Sequence, residues 1–143
     1  AFFGEKDAQQ LLIIQKMVAD LAYDIQIIAC PIVRKKNGLA MSSRNCYLSN
    51  LEQETASKIY WALQEGETMI IAGERNAQII KEKITTSIIQ ESILRIEYVS
   101  VADAETLIEI SGDISNNILV STAVFLKGTR LIDNFRYSVS PNK

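Results

Sequence analysis

The run Gly38-Leu39-Ala40-Met41-Ser42-Ser43-Arg44-Asn45 gathers two hydroxyls, one permanently charged guanidinium and a series of backbone N–H groups around a turn. All of these donate hydrogen bonds, and the planar guanidinium fork matches phosphate oxygens. The segment suits an anion, although Ser-Ser-Arg-Asn is also ordinary turn chemistry. A second group lies near the start, where Gly4-Glu5-Lys6-Asp7 stands between a strand-like and a helix-like stretch. Free N–H groups and the positive end of the helix dipole face any anion held there. Lys6 adds a mobile cation, Asp7 can accept hydrogen bonds from hydroxyls such as those of a ribose, and Gln10 falls on nearly the same helix face. A helix capped by Asp, with two solvated charges, is the plain alternative.

Histidine is absent from the 143 residues. That removes the commonest general base, the commonest metal ligand and every Ser/His or Cys/His nucleophile pair. Chemistry on this chain must rest on charge and positioning. Lys35 and Lys36 read as a solvated loop face, and Tyr60 and Trp61 as core and rim residues rather than a base-stacking platform. Arg130 and Asp133 invite a catalytic pairing, for which a structural ion pair near the last strand is the plainer reading. Cys30 ends an apolar run and reads as a packing residue.

The elements that must hold these residues follow from periodicity. Leu11, Ile14, Val18 and Leu21 mark one face of a helix from about Asp7 to Ala22, and Ile25 to Cys30 reads as a strand ending at Pro31. With Ala1-Phe2-Phe3-Gly4 as the buried end of a preceding strand, this is a strand-helix-strand unit and predicts a parallel sheet. The Met41–Asn45 cluster then lies on a loop beyond the carboxyl end of a strand, where open α/β sheets bind ligands. Ser49-Asn50-Leu51-Glu52 is a capping box opening a helix to about Glu65. A second helix from about Asn76 to Gln90 carries Ile80, Ile84 and Ile88 on one face. Strands are expected at Ile96–Val101, Ile118–Leu126 and, after the break Lys127-Gly128-Thr129, Arg130–Asn134. The fold class is α/β, with a small α+β domain built on an antiparallel sheet at the carboxyl end. Residues 1–46 and 47–143 are the expected domains.

At 48% hydrophobic residues the chain can bury a core and reads as soluble and globular. A net charge of -2 offers no basic field for nucleic acid, and no apolar run reaches the roughly 18 residues needed to span a bilayer. Cys30 and Cys46 form no CxxC motif and fit free thiols in a reducing compartment, hence the cytoplasm.

Three signatures in order carry a resemblance: Phe3-Gly4-Glu5-Lys6-Asp7 followed by Gln9-Gln10-Leu11, then Pro31-Ile32-Val33-Arg34, then Gly38 through Asn45. Together with the ending Gly128-Thr129-Arg130-Leu131-Ile132-Asp133-Asn134, they resemble the pantothenate synthetase (pantoate–β-alanine ligase) family. The resemblance implies the carboxyl-terminal portion of an adenylating ligase, with the end of a Rossmann-like nucleotidyltransferase domain followed by a smaller lid domain. It implies that Gly4, Glu5 and Asp7 belong to the ATP site at the adenosine side, Lys6 to the phosphates and Gln10 to pantoate. Val33 and Met41 would contact adenine, and Ser42, Ser43 and Arg44 would close over the triphosphate. Lys6 and Arg44 would act in catalysis, with ATP and Mg²⁺ supplied as substrate and no protein metal site. The partners implied are pantoate, β-alanine and ATP, with no nucleic acid or membrane.

The family's HxGH signature cannot be present without histidine, so the chain reads as a fragment, inactive alone. The dimer interface and β-alanine contacts are expected in the portion outside it. Ala8, Lys35-Lys36-Asn37 and Cys46 depart from the family pattern, which more often has an aromatic, an acidic stretch and a basic residue there. Two alternatives remain: another adenylate-forming nucleotidyltransferase, and a non-catalytic α+β interaction domain.

Overall fold

The computed structural model describes residues 1–139; the last four residues of the expected second domain lie outside them. Strand β1 (Phe2–Gly4) passes through a 3-10 turn (Glu5–Asp7) into helix α1 (Ala8–Asp20), and strand β2 (Ile28–Cys30) returns parallel to β1, with Gly4 opposite Cys30. The expected strand-helix-strand unit is therefore present, α1 supplying the crossover that parallel pairing demands. Asp7 caps α1, its Oδ1 accepting from the Gln10 N–H at 3.2 Å. Some expectations here are corrected. Strand β2 begins at Ile28 rather than Ile25; α1 ends at Asp20, so Leu21 falls beyond its face and is exposed. Phe2 is 73% exposed, not buried.

Ser49 opens helix α2 (Asn50–Ile71) with the capping box read in the sequence: Glu52 Oε2 accepts from Ser49 N–H at 2.8 Å, and Ser49 Oγ accepts from Glu52 N–H at 3.3 Å. The helix continues past the expected end at Glu65. Gly66 is buried, and a Cβ there would lie 2.6 Å from the Ile84 side chain, so this glycine is a contact point between helices rather than a stop. Asn76 caps α3 (Ala77–Ile89) by accepting from two backbone N–H groups, and Ile80, Ile84 and Ile88 are all fully buried along it.

Strands β3 (Leu94–Asp103), β4 (Ile118–Leu126) and β5 (Thr129–Tyr137) form one antiparallel sheet in chain order. Strands β3 and β5 run longer than their apolar cores suggested. A bulge between Ile96 and Tyr98 shifts the register, so that Ile96 and Val99 both pack on the core. Strands β4 and β5 join through a tight turn with Lys127 and Gly128 at positive φ. Helices α2 and α3 pack together and cover one face of the sheet, with Leu63, Ile70, Val120, Val124 and Leu126 sealed between them. No helix among the described residues is long and apolar enough to cross a membrane.

Candidate functional site

Residues 33–41 fold into a small hairpin. Met41 N–H donates to Val33 O at 2.8 Å and Lys35 N–H to Leu39 O at 2.9 Å, so Val33 and Met41 stand side by side, both largely exposed. Gly38 closes the hairpin at φ +94°, and a Cβ on it would fall 2.1 Å from the Tyr60 ring. Both the left-handed backbone and the ring demand glycine there. Past the hairpin, Ser42 Oγ accepts from Arg44 N–H at 3.2 Å and caps a 3-10 turn (Ser43–Tyr47). That turn carries residues expected in a loop. Gln53 of α2 ties its far end, its Nε2 donating to Asn45 O and Leu48 O. The Arg44 guanidinium is exposed and has no partner among the described residues.

The hairpin is fixed to the last strand by Arg34. Its two terminal nitrogens grip Asp133 of β5 at 2.7 and 2.9 Å, one of them also donates to Gly38 O at 3.1 Å, and the guanidinium lies 4.5 Å above the Tyr60 ring. This corrects the expected Arg130–Asp133 pair. Arg130 binds Glu97 at 2.6 Å instead, because residues three apart on a strand face opposite sides of the sheet. Tyr60 is half-buried and Trp61 half-exposed, matching their reading as packing and rim residues.

The next residue of β5, Asn134, reaches the other group. Its Nδ2 donates to Glu5 O and to Lys6 O, both at 2.9 Å. Lys6 is half-buried and makes no ion pair among the described residues. Burial pushes its pKa below the ordinary lysine range; Asp133 and Asp7 pull it back up, while Arg44 and Arg34 push it down again. The two predicted cations thus feel each other across the site, a repulsion that an anion between them would relieve.

A cavity of about 370 Å³ opens between the start of α1 and the sheet face that the helices leave uncovered, lined by Lys6, Asp7, Gln9, Ser100, Ser121 and Arg130 among others. That volume falls in the range of small-molecule sites. Lys6 and Asp7 reach this cavity, but Gln9 lines it in place of Gln10, and Gly4, Glu5, Val33 and residues 41–44 lie outside its lining. Lys6 also shares a small crevice with Ala40 and Asp133, which joins the hairpin to the turn. Arg34 and Asn134 were not marked in the sequence. A buried Asp-Asn pair inside an apolar strand was the available signal, since strands disfavour both residues.

A sequence profile of the family described as Pantoate-beta-alanine ligase matches residues 1–136. The chain belongs to this family. It is 46% identical over 140 residues to a pantothenate synthetase of Clostridioides difficile and 43% identical over 139 residues to one of Clostridium botulinum, covering 98% and 97% of this chain and 49% of each relative. The chain therefore spans about half the length of these relatives. Among solved structures, a pantothenate synthetase of Thermus thermophilus superposes with a TM-score of 0.89 at 33% identity, over 94% of this chain and 48% of the other. A pantoate-β-alanine ligase of Francisella tularensis, complexed with β-γ ATP and β-alanine, gives 0.56 at 29% identity over 94% and 42%. The pantoate–β-alanine ligase fold thus accounts for both the parallel β1–α1–β2 unit and the antiparallel sheet, as the resemblance implied.

Proposed function

We propose that this chain forms the carboxyl-terminal half of an ATP-dependent ligase that condenses pantoate with β-alanine through a pantoyl-adenylate intermediate. The observation that carries the reading is the match to the pantoate–β-alanine ligase family over residues 1–136, beside which Lys6 stands half-buried near Arg44, Arg34 and Asp133. In the first step the pantoate carboxylate attacks the α-phosphorus of ATP, and the bond to the β-phosphate oxygen breaks to release pyrophosphate. In the second the β-alanine amine attacks the acyl carbon, AMP departs with the acyl C–O electrons, and the amine loses a proton. Neither step requires a nucleophile from the protein. Lys6 and Arg44 hold the negative charge that builds on the leaving pyrophosphate, as preorganised cations do in phosphoryl chemistry.

In this reading Ser42 and Ser43 add donors to the triphosphate, and Val33 and Met41 flank adenine from the hairpin. Gly4, Glu5 and Asp7 form the ribose side, and Gln10 meets pantoate. Magnesium enters as part of the nucleotide in this reading. The β-alanine contacts and any dimer interface belong to the other half of the relatives' length, and the two-domain division at residues 46 and 47 is part of the same proposal. The enzyme works in the cytoplasm, and the 143 residues alone lack turnover.

Pantoate-dependent exchange of labelled pyrophosphate into ATP tests this in the full-length polypeptide. Arg44→Ala should lower the exchange rate about a hundredfold, the usual effect of removing one charge-stabilising donor, with the melting temperature unchanged. Wild-type exchange in that variant refutes the phosphate role. Exchange supported by other acids but not by pantoate assigns the chain to a different adenylating ligase.

A further inference from the structure

The two groups proposed for ATP are far apart in sequence and have no hydrogen bond to each other among the described residues. Beyond the β1–β2 pairing of Gly4 with Cys30, one dipeptide ties both to the last strand. Asp133 holds Arg34, and through it Gly38, while Asn134 holds the Glu5 and Lys6 carbonyls. The Asn134 backbone N–H also donates to Asp133 Oδ1 at 2.8 Å, so the carboxylate is fixed to the strand backbone at the residue that holds the Lys6 turn. Both residues are 5% exposed, on a strand anchored in the core through Leu131.

The residue types fit this task. A primary amide nitrogen carries two hydrogens and can serve two carbonyls at once, whereas Ser, Asp or Thr cannot. A carboxylate meets a guanidinium through two parallel bonds, which fixes orientation as well as distance. Buried ion pairs contribute little net stability beside apolar replacements of the same size. Their value here is the geometry they impose.

We propose that Asp133 and Asn134 are positioning residues for the adenylation step, setting the Lys6 turn and the Ser42–Arg44 segment at the separation that a triphosphate spans. This rests on the ATP-site reading above. Both residues also line the cavity beside Lys6, and the role proposed for them is to hold the groups around it in register. The expected consequence is graded: the step that handles the triphosphate depends on the register of the two groups more steeply than the step that consumes a finished adenylate, which keeps the adenosine contacts but carries no β- or γ-phosphate.

The test compares two activities in the same preparation of the full-length polypeptide: pantoate-dependent pyrophosphate exchange, and the reaction of supplied pantoyl adenylate with β-alanine. Their ratio is independent of the folded fraction, so a destabilised variant remains informative. Asn134→Ala, Asn134→Asp and Asp133→Asn should each lower the ratio at least tenfold, with a raised KM for ATP. Arg34→Ala combined with Asp133→Asn should lower it no further than either alone, because both act through one contact. A ratio within twofold of wild type in the Asn134 and Asp133 variants overturns the proposal. Arg44→Ala separates the two levels. If it lowers the ratio while the β5 variants do not, positioning by β5 is wrong and the ATP site stands; if it also leaves the ratio unchanged, the ATP-site reading fails and the proposal with it.

Discussion

The carboxyl-terminal helices and sheet are held by apolar contact, whereas the segment before Ser49, which carries the candidate chemistry, joins them through Leu39 and Leu48 in the same core and through a set of polar ties. Ile80, Ile84, Ile88, Ile118 and Val124 are completely sealed from solvent. In the earlier segment Phe2, Ile13, Leu21, Ile25 and Val33 are each more than half exposed. Beside Leu39 and Leu48, its ties to the rest are the Arg34, Asn37 and Gln53 bonds and the two side chains of β5. The difference separates two properties that often coincide. Most of the apolar core resides in one region and the candidate cations in the other, so each can be probed by its own substitutions.

The largest effect expected is on the core. Ile84→Ala removes a fully buried side chain that also meets Gly66, and should cost about 2–5 kcal/mol. That corresponds to a fall of roughly 10 °C or more in thermal midpoint. If the melting temperature hardly moves, the division of labour is wrong. Gly38→Ala probes the opposite side, forcing a Cβ toward the Tyr60 ring on a left-handed backbone that costs about 1–3 kcal/mol for other residues. Exchange activity should drop about tenfold while the midpoint falls less than for Ile84→Ala; global unfolding would show the hairpin to be part of the core.

A finer test uses pH. Because burial and the neighbouring arginines lower the Lys6 pKa, its charge is lost at lower pH than that of a solvated lysine. The alkaline limb of kcat/KM for ATP should therefore begin below the usual lysine range and move upward in Lys6→Arg. An unmoved limb would assign the titration to another group. The smallest effect concerns the capping box. Lys127 and the Ser49 N–H hold the Glu52 pKa down to about 2, so its contribution is complete above the unfolded value of 4.5 and disappears as pH falls toward 2. Glu52→Gln should flatten thermal stability against pH across that window, and an unchanged slope would remove Glu52 from the acid transition.

Local signals were legible in the sequence to the extent that they were local. The Ser49–Glu52 box and the Ile80, Ile84, Ile88 face need only spacings of three or four, and both are present. The helix end at Glu65 failed because Gly66 reads as a breaker until Ile84 is known to press against it. The site was half legible for the same reason. Lys6 and Arg44 stood out as donors near turns, but Arg34 meets Asp133 across 99 positions, and no short-range pattern encodes that. Strand alternation alone could have excluded the Arg130–Asp133 pair. Family signatures supplied the candidate ligand residues; strand order and burial supplied the ties between them.

The bond between Arg34 and Asp133 has a kinetic meaning. Closing a chain loop of 99 residues is entropically expensive and comes after neighbouring strands and helices have paired. The hairpin and the Lys6 turn are expected to open below the free energy of global unfolding. Amide hydrogens at Lys35, Gly38 and Met41 should exchange through this partial opening, well ahead of those in β4.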